Sequence, residues 1–265
     1  MKPVLLFALI FFPLTMFAQE EDDVKVLYGE IIYESHRDEQ AVADALERLS
    51  VKNPKAYAIM RPEITRWNEL ASNFEFLLYF SNDESLSYMA PEASNGDQRL
   101  QRELEAARSL VRGDYRYYLN TADTGRLYEA TIPGTANVEH LTEPFDKYNW
   151  KITSESKQIG KYTCRKATGS YSKEMHDEGL VTIPVTAWFA PQLPFPYGPM
   201  GFDGLPGLIL EVTEEGRIPL TFQATGIEVV RDSDERIPKL NDPIRVMTIA
   251  EANEMARGRM QRIRR

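Results

Sequence analysis

Pro194-Phe195-Pro196-Tyr197-Gly198-Pro199-Met200-Gly201-Phe202-Asp203-Gly204-Leu205-Pro206-Gly207-Leu208-Ile209-Leu210 is a stiff segment that runs straight into an apolar strand. Six of the 16 prolines (Pro184, Pro191, Pro194, Pro196, Pro199 and Pro206) crowd into this part of the chain. Each fixes φ and removes a backbone donor, so backbone stiffness is concentrated here. Glycine recurs every third residue, at Gly198, Gly201, Gly204 and Gly207. Leu205-Pro206-Gly207-Leu208 predicts a type II turn, with Pro206 setting φ and Gly207 supplying a positive one. Gly198 and Gly204 let the chain pass close to a neighbouring surface. Phe195, Tyr197, Met200, Phe202 and Leu205 offer apolar cover, either as core or as the lining of a groove. Asp203 reads as an Asx-type turn residue or as a catalytic or metal-binding carboxylate.

The glycine spacing invites two false matches. Four collagen-like triplets fall far short of the long strict repeat that a triple helix needs. A phosphate cradle would need a lysine and a following helix, whereas Leu208-Ile209-Leu210-Glu211-Val212 reads as a strand. Backbone geometry is the simpler reading of the segment.

The two ends of the chain bear on its location. Residues 1–18 read as a secretory signal: Lys2, an apolar run from Val4 to Leu14, and Ala18 before the cut. That run is shorter than the roughly 20 residues that span a bilayer. Export to the periplasm or the extracellular space follows as the expectation. The formal charge of −9 argues against nucleic acid or anionic lipid as a general partner, since both reward a basic face. Arg257, Arg259, Arg262, Arg264 and Arg265 form a basic tail, suited to a helix dipole or to docking on an acidic partner or anionic membrane. One cysteine excludes an internal disulfide, and Cys164, in an alternating run, reads as a buried small hydrophobe.

Elements follow from periodicity and turn chemistry. Val24 to Ser35 alternates as a first strand, with Val24, Val26, Tyr28 and Ile32 on one face. Asp38 caps a helix through Ser50, Asn53-Pro54 breaks it, and a second short helix spans Pro62 to Trp67. Phe74, Phe76, Leu78 and Phe80 share a strand face before an Asn82-Asp83 turn. Leu100, Leu104, Ala107 and Val111 predict a helix, and residues 114–132 a hairpin. Strands then come close together around Trp150–Thr168, Val181–Phe189, Leu208–Val212 and Ile218–Val230. Asn241-Asp242-Pro243 marks a turn, and Thr248 with Glu251 has capping-box spacing for a last helix. The fold class is α+β: a mainly antiparallel, curved, open-barrel-like sheet with a few helices, including one at the C-terminus. The expected organisation is a signal over 1–18, one β-rich domain over 19–247 with helical insertions near 38–70 and 99–111, and a basic C-terminal helix over 248–265.

Catalytic templates find little purchase. His36, His140 and His176 are far apart, lack ligand spacing, and read as solvated. No Gly-x-Ser-x-Gly elbow occurs, and a mid-strand thiol is poorly exposed for attack. No cofactor or metal is expected.

Gly204-Leu205-Pro206-Gly207-Leu208-Ile209 spells GLPGLI and resembles the signature of the GLPGLI family of exported Bacteroidetes proteins. Trp150, the run Ile159 to Ala167 with Cys164, Trp188, Gly198, Pro199 and Phe202 look like that family's ordered landmarks. The resemblance implies an exported, largely β domain of uncharacterised role, associated with TonB-dependent outer-membrane transporters, and by loose fold analogy a lipoprotein-carrier-like sheet. It supplies no catalytic residues. Three functions stay open: a non-enzymatic binding or assembly module, a hydrolase with a site near Asp203, and a purely structural secreted domain. For the first, an outer-membrane transporter or a hydrophobic, lipid-like ligand is the partner, with Phe195, Tyr197, Met200, Phe202 and Asp203 as groove candidates.

Overall fold

The computed structural model describes residues 27–92, 95–123, 125–131, 137–145, 147–175, 179–231 and 236–255. The signal over 1–18, His176 and the arginine tail from 257 lie outside them. β1 (Leu27–Arg37) is followed by two helices, α1 (Glu39–Lys52) and α2 (Pro54–Ala71). β2 (Glu75–Ser81), β3 (Glu84–Met89), α3 (Gln98–Ser109), β4 (Tyr115–Asn120), β5 (Gly125–Thr131) and β6 (Val138–Pro144) come next. β7 (Lys151–Ile159), β8 (Tyr162–Met175), β9 (Gly179–Ala190), β10 (Leu208–Glu214), β11 (Leu220–Arg231) and β12 (Arg245–Thr248) complete the sheet. A last helix, α4, begins at 249 and is described to 255.

All twelve strands form one sheet in the order β12-β6-β5-β4-β3-β2-β1-β11-β10-β9-β8-β7. Two meanders, β1 to β6 and β7 to β11, meet where β1 pairs with β11. Every pairing is antiparallel except β12 on β6, which makes the sheet mixed. Strands lie about 4.8 Å apart, so in a flat sheet β4 and β10 would be separated by roughly 24 Å. Arg112, three residues before β4, nevertheless meets Glu214 at the end of β10 at 2.7 Å. The sheet therefore curls, and its concave face holds the main core.

Alternation explains that core. Phe76, Leu78 and Phe80 of β2 and Phe222 of β11 are fully buried on one face. In β1 the buried parity is Ile31 and Tyr33 rather than Tyr28 and Ile32. Tyr28 instead joins Leu86 and Ile237 in a small cluster separate from the main core. Both parities of β1 carry apolar residues, so composition alone could not choose the inner face. Cys164 is fully buried.

α1, α2 and α3 leave the sheet at one end, where β1, β3 and β11 meet them. Asp38 accepts from the Ala41 amide at 2.7 Å, and Asn53 accepts from the Ala56 amide at 3.1 Å to start α2. Pro62 lies inside α2 rather than opening a new helix. Both Pro62 and Ala58 are exposed, so water can serve the carbonyl left without a donor. Leu104, Ala107 and Val111, at and beyond the buried face of α3, join the core beside Ala71. Thr248 and Glu251 form the expected reciprocal box at α4, at 2.7 and 3.2 Å.

Candidate functional site

The stiff loop between β9 and β10 lies across the concave face, and its own backbone laces it together. Leu208 N donates to Leu193 O, Gly204 N to Pro196 O and Ile209 N to Tyr197 O, at 2.9 to 3.0 Å. Phe202 N donates to Pro199 O at 2.9 Å, with Met200 and Gly201 both at positive φ, a primed turn. Met200 bears the strain of that geometry. It is held there by Ser87 of β3, whose Oγ accepts from the Met200 amide at 3.0 Å.

The predicted type II turn is replaced by a tighter one. Gly207 N donates to Leu205 O at 2.8 Å, a three-residue turn centred on Pro206, and Gly207 is not among the glycines at positive φ. Its need for glycine is steric, because a Cβ there would sit 2.4 Å from the Ala190 carbonyl oxygen. Gly204 is the reverse case, with φ +89 and no atom closer than 3.8 Å to an added Cβ.

Asp203 is buried, and it does not cap a local turn. Arg126, in β5, points inward beside Tyr128 and forks onto the carboxylate: Nε donates to Oδ2 at 2.5 Å, and Nη2 donates to Oδ1. The same guanidinium donates to the Pro144 and Phe145 carbonyls at 2.7 Å each. Burial works against the Arg126 cation, but Asp203 outweighs it and holds the guanidinium charged above its usual range. Trp150 Nε1 donates to Asp203 O at 2.8 Å, and Tyr148 Oη donates to Gly201 O at 2.9 Å.

Two further cations surround the loop. Arg112 pairs with Glu214 and lies over the Phe202 ring at 4.6 Å. Lys147 pairs with Glu143 at 2.9 Å and stands over the Tyr171 ring at 4.7 Å. Burial first, then the Arg112 charge, lowers the Lys147 ammonium to about 8 despite Glu143. Tyr128 donates to the same Glu143 carboxylate. Three cations thus face three carboxylates among four tyrosines (Tyr117, Tyr128, Tyr148 and Tyr171).

The groove candidates are core. Tyr197, Met200 and Phe202 are fully buried, and Phe195 packs against the core half-buried, 5.1 Å from Phe80 between ring centres. The space left beside Asp203, bounded by Ser85, Ser87, Tyr117 and Arg126, is about 10 Å³, room for one water. Leu205, Leu208 and Ile209 are buried with the loop. Trp188 lies on the other side of the sheet, under Lys157 at 4.6 Å. Among the described residues, no group of three or more His, Cys, Asp or Glu could hold a metal ion.

His140 departs from its expected solvated setting. It is buried in β6 opposite Glu129, 3.8 Å from that carboxylate. Glu129 accepts from Arg116 at 3.0 Å and from the Asn241 amide at 2.5 Å, which ties down the return to β12. His36 is exposed, as expected.

Arg126, Arg112 and Lys147 escaped sequence reasoning. Arg126 carried one signal, a charge at the same parity as Tyr128 in a strand-like run. Arg112 and Lys147 lie in turns, where no periodicity announces an inward side chain.

A family described as "Protein of unknown function (Porph_ging)", associated with Bacteroidetes, matches residues 171–211, the stretch from β8 through the loop into β10. A search of curated proteins finds no match. Two solved structures of PNGF-II, in two space groups, are similar over 85% and 86% of this chain, at 12% and 14% identity with TM-scores of 0.48 and 0.47. The chain spans 32% of the length of each. No helix among the described residues is long and apolar enough to cross a membrane.

Proposed function

We propose that this protein is a non-enzymatic envelope component, a binding and assembly module that accompanies an outer-membrane transport system of the TonB-dependent kind. The observation that carries the reading is the outer edge of the sheet at β7, with which no strand among the described residues pairs. Six of its nine residues are exposed, with only Ile159 buried, so the strand is available for pairing with a partner segment. A register shift between Ile152 and Ser156, with Lys151 and Lys157, guards the edge against indiscriminate association. Asp203 supports the non-enzymatic part, since its carboxylate is committed to Arg126 and the space beside it among the described residues has room for one water. A lipoprotein-carrier mode with a lipid-like ligand fits less well, because the loop fills the concavity.

The test follows from the hairpin. Ile159 and Tyr162 flank a two-residue loop whose Gly160 has φ +55. Alternation then turns the Gln158 N–H away from β8. Cross-linking in envelope extracts is expected to join β7 to an outer-membrane transporter, with Gln158→Thr retaining the product and Gln158→Pro abolishing it. Recovery of no membrane partner, or equal recovery with both variants, refutes the reading.

A further inference from the structure

Between Arg48 and Arg61 the chain holds four basic residues and no acidic one, in a protein with 40 acidic and 31 basic residues. This stretch is the tip of the α1–α2 hairpin. Both roots are tied to the sheet: the Asp38 amide donates to Pro219 O at 3.0 Å, and Ala71 is buried beneath Ser35. Helices of 14 and 18 residues then carry the Asn53 junction about 21–27 Å from those roots.

Burial fades along the way. Trp67 and Leu70 still pack on the core, and α1 has no buried residue at all. At the tip, Val51 is 81% exposed and Ile59 71%, among the most exposed large apolar side chains described. Arg48, Lys52, Lys55 and Arg61 are exposed around them. Among the described residues none of the four meets a carboxylate, and Arg61 rests over Tyr57 at 5.8 Å. Glu47 and Glu63 only flank the stretch. What sets the tip apart is that its two exposed aliphatics share one short stretch with four exposed cations.

We infer that the α1–α2 tip docks on an anionic lipid bilayer. Arg48, Lys52, Lys55 and Arg61 meet the headgroup phosphates, while Val51 and Ile59 enter the headgroup–acyl boundary. The pairing of charge with aliphatic exposure decides the occupant. A soluble polyanion would reward the cations alone, whereas a membrane interface rewards both. The negative remainder of the molecule orients the tip towards such a surface.

Partition onto vesicles of phosphatidylglycerol mixed with phosphatidylcholine tests this, with pure phosphatidylcholine as the neutral comparison. The full chain is used throughout, so every other segment is constant. Wild type is expected to bind the anionic vesicles preferentially, and less tightly as salt rises. Lys52→Glu with Lys55→Glu should weaken partition at least about tenfold. Val51→Asn with Ile59→Asn should do so by a similar factor of about ten. All four side chains are exposed, so unchanged thermal midpoints confirm that the variants fold. Equal partition of wild type and K52E/K55E overturns the proposal, whatever else then holds the vesicle. Loss with K52E/K55E but not with V51N/I59N also overturns it, leaving a plain polyanion site. No protein partner enters the assay, so its outcome is independent of the β7 reading.

Discussion

At the scale of single residues, the Arg126–Asp203 fork sets the character of the concave face. Four of the five guanidinium N–H groups are used, two on the carboxylate and two on backbone carbonyls. Removing one partner leaves a buried charge without compensation. Asp203→Asn and Arg126→Leu are each expected to cost about 3–5 kcal/mol in urea unfolding. The double variant Arg126→Leu/Asp203→Leu should cost clearly less than the sum, and strict additivity would show that the two do not act as a pair. The loop glycines make a second contrast. Gly207→Ala drives a Cβ against the Ala190 carbonyl and should cost about 3 kcal/mol, at the upper end for overpacking. Gly204→Ala has space but the wrong φ, so about 1–2 kcal/mol is expected. A larger loss at Gly204 than at Gly207 would contradict these roles. The GLPGLI run announced a rigid turn, but two of its glycines serve different needs that spacing cannot distinguish.

At the scale of elements, strand position decides what a proline costs. Pro184 lies inside β9 and is tolerated because β10 pairs with β9 only from Val185 onward. Its carbonyl accepts from the Glu215 amide at 2.9 Å, so its nitrogen faces the same side, beyond the end of β10. The outward edge of β7 offers the same freedom. Gln158→Pro is therefore expected to cost under about 1 kcal/mol, whereas Thr186→Pro, between β8 and β10, should cost roughly 3 kcal/mol or more. Similar losses at both positions would mean that the β7 edge is occupied. Elements of this kind were legible where turn chemistry or capping marked their ends. Asp38, Asn53-Pro54 and Thr248 with Glu251 all act as their sequence suggests. β6 and β12 were not legible. Val138 to Pro144 alternates weakly, and the parallel pairing of β12 depends on a Glu129 anchor distant in sequence. The start of α2 was also missed, because Pro62 looks like a helix opener wherever it stands.

At the scale of the whole molecule, antiparallel meandering could be read from recurrent strands and turns, but the curl and the filling of its concavity could not. They depend on residues such as Arg112 and Lys147, which reach across the sheet from turns. That arrangement has a consequence for pH. The Lys147 ammonium falls from 10.5 to about 8 on folding, chiefly through burial. Between those values the unfolded chain binds a proton that the folded chain has released, so this group makes stability rise with pH. The full effect is about 3 kcal/mol across the window. Burial shifts the Cys164 thiol the other way, from 9.0 to about 11. There the unfolded chain loses its proton first, and stability falls as pH rises. The two windows overlap, so wild-type stability should climb from pH 8 to 9 and then flatten. Urea unfolding across this range separates the contributions. Relative to wild type, Lys147→Met should be favoured below pH 8, with the advantage fading towards 10.5. Cys164→Ala should remove the flattening, so that stability keeps rising above pH 9. A wild-type minus Lys147→Met difference that does not change with pH would show that the amine keeps its ordinary proton affinity, and that the three cations over the tyrosines are not packed as closely as described.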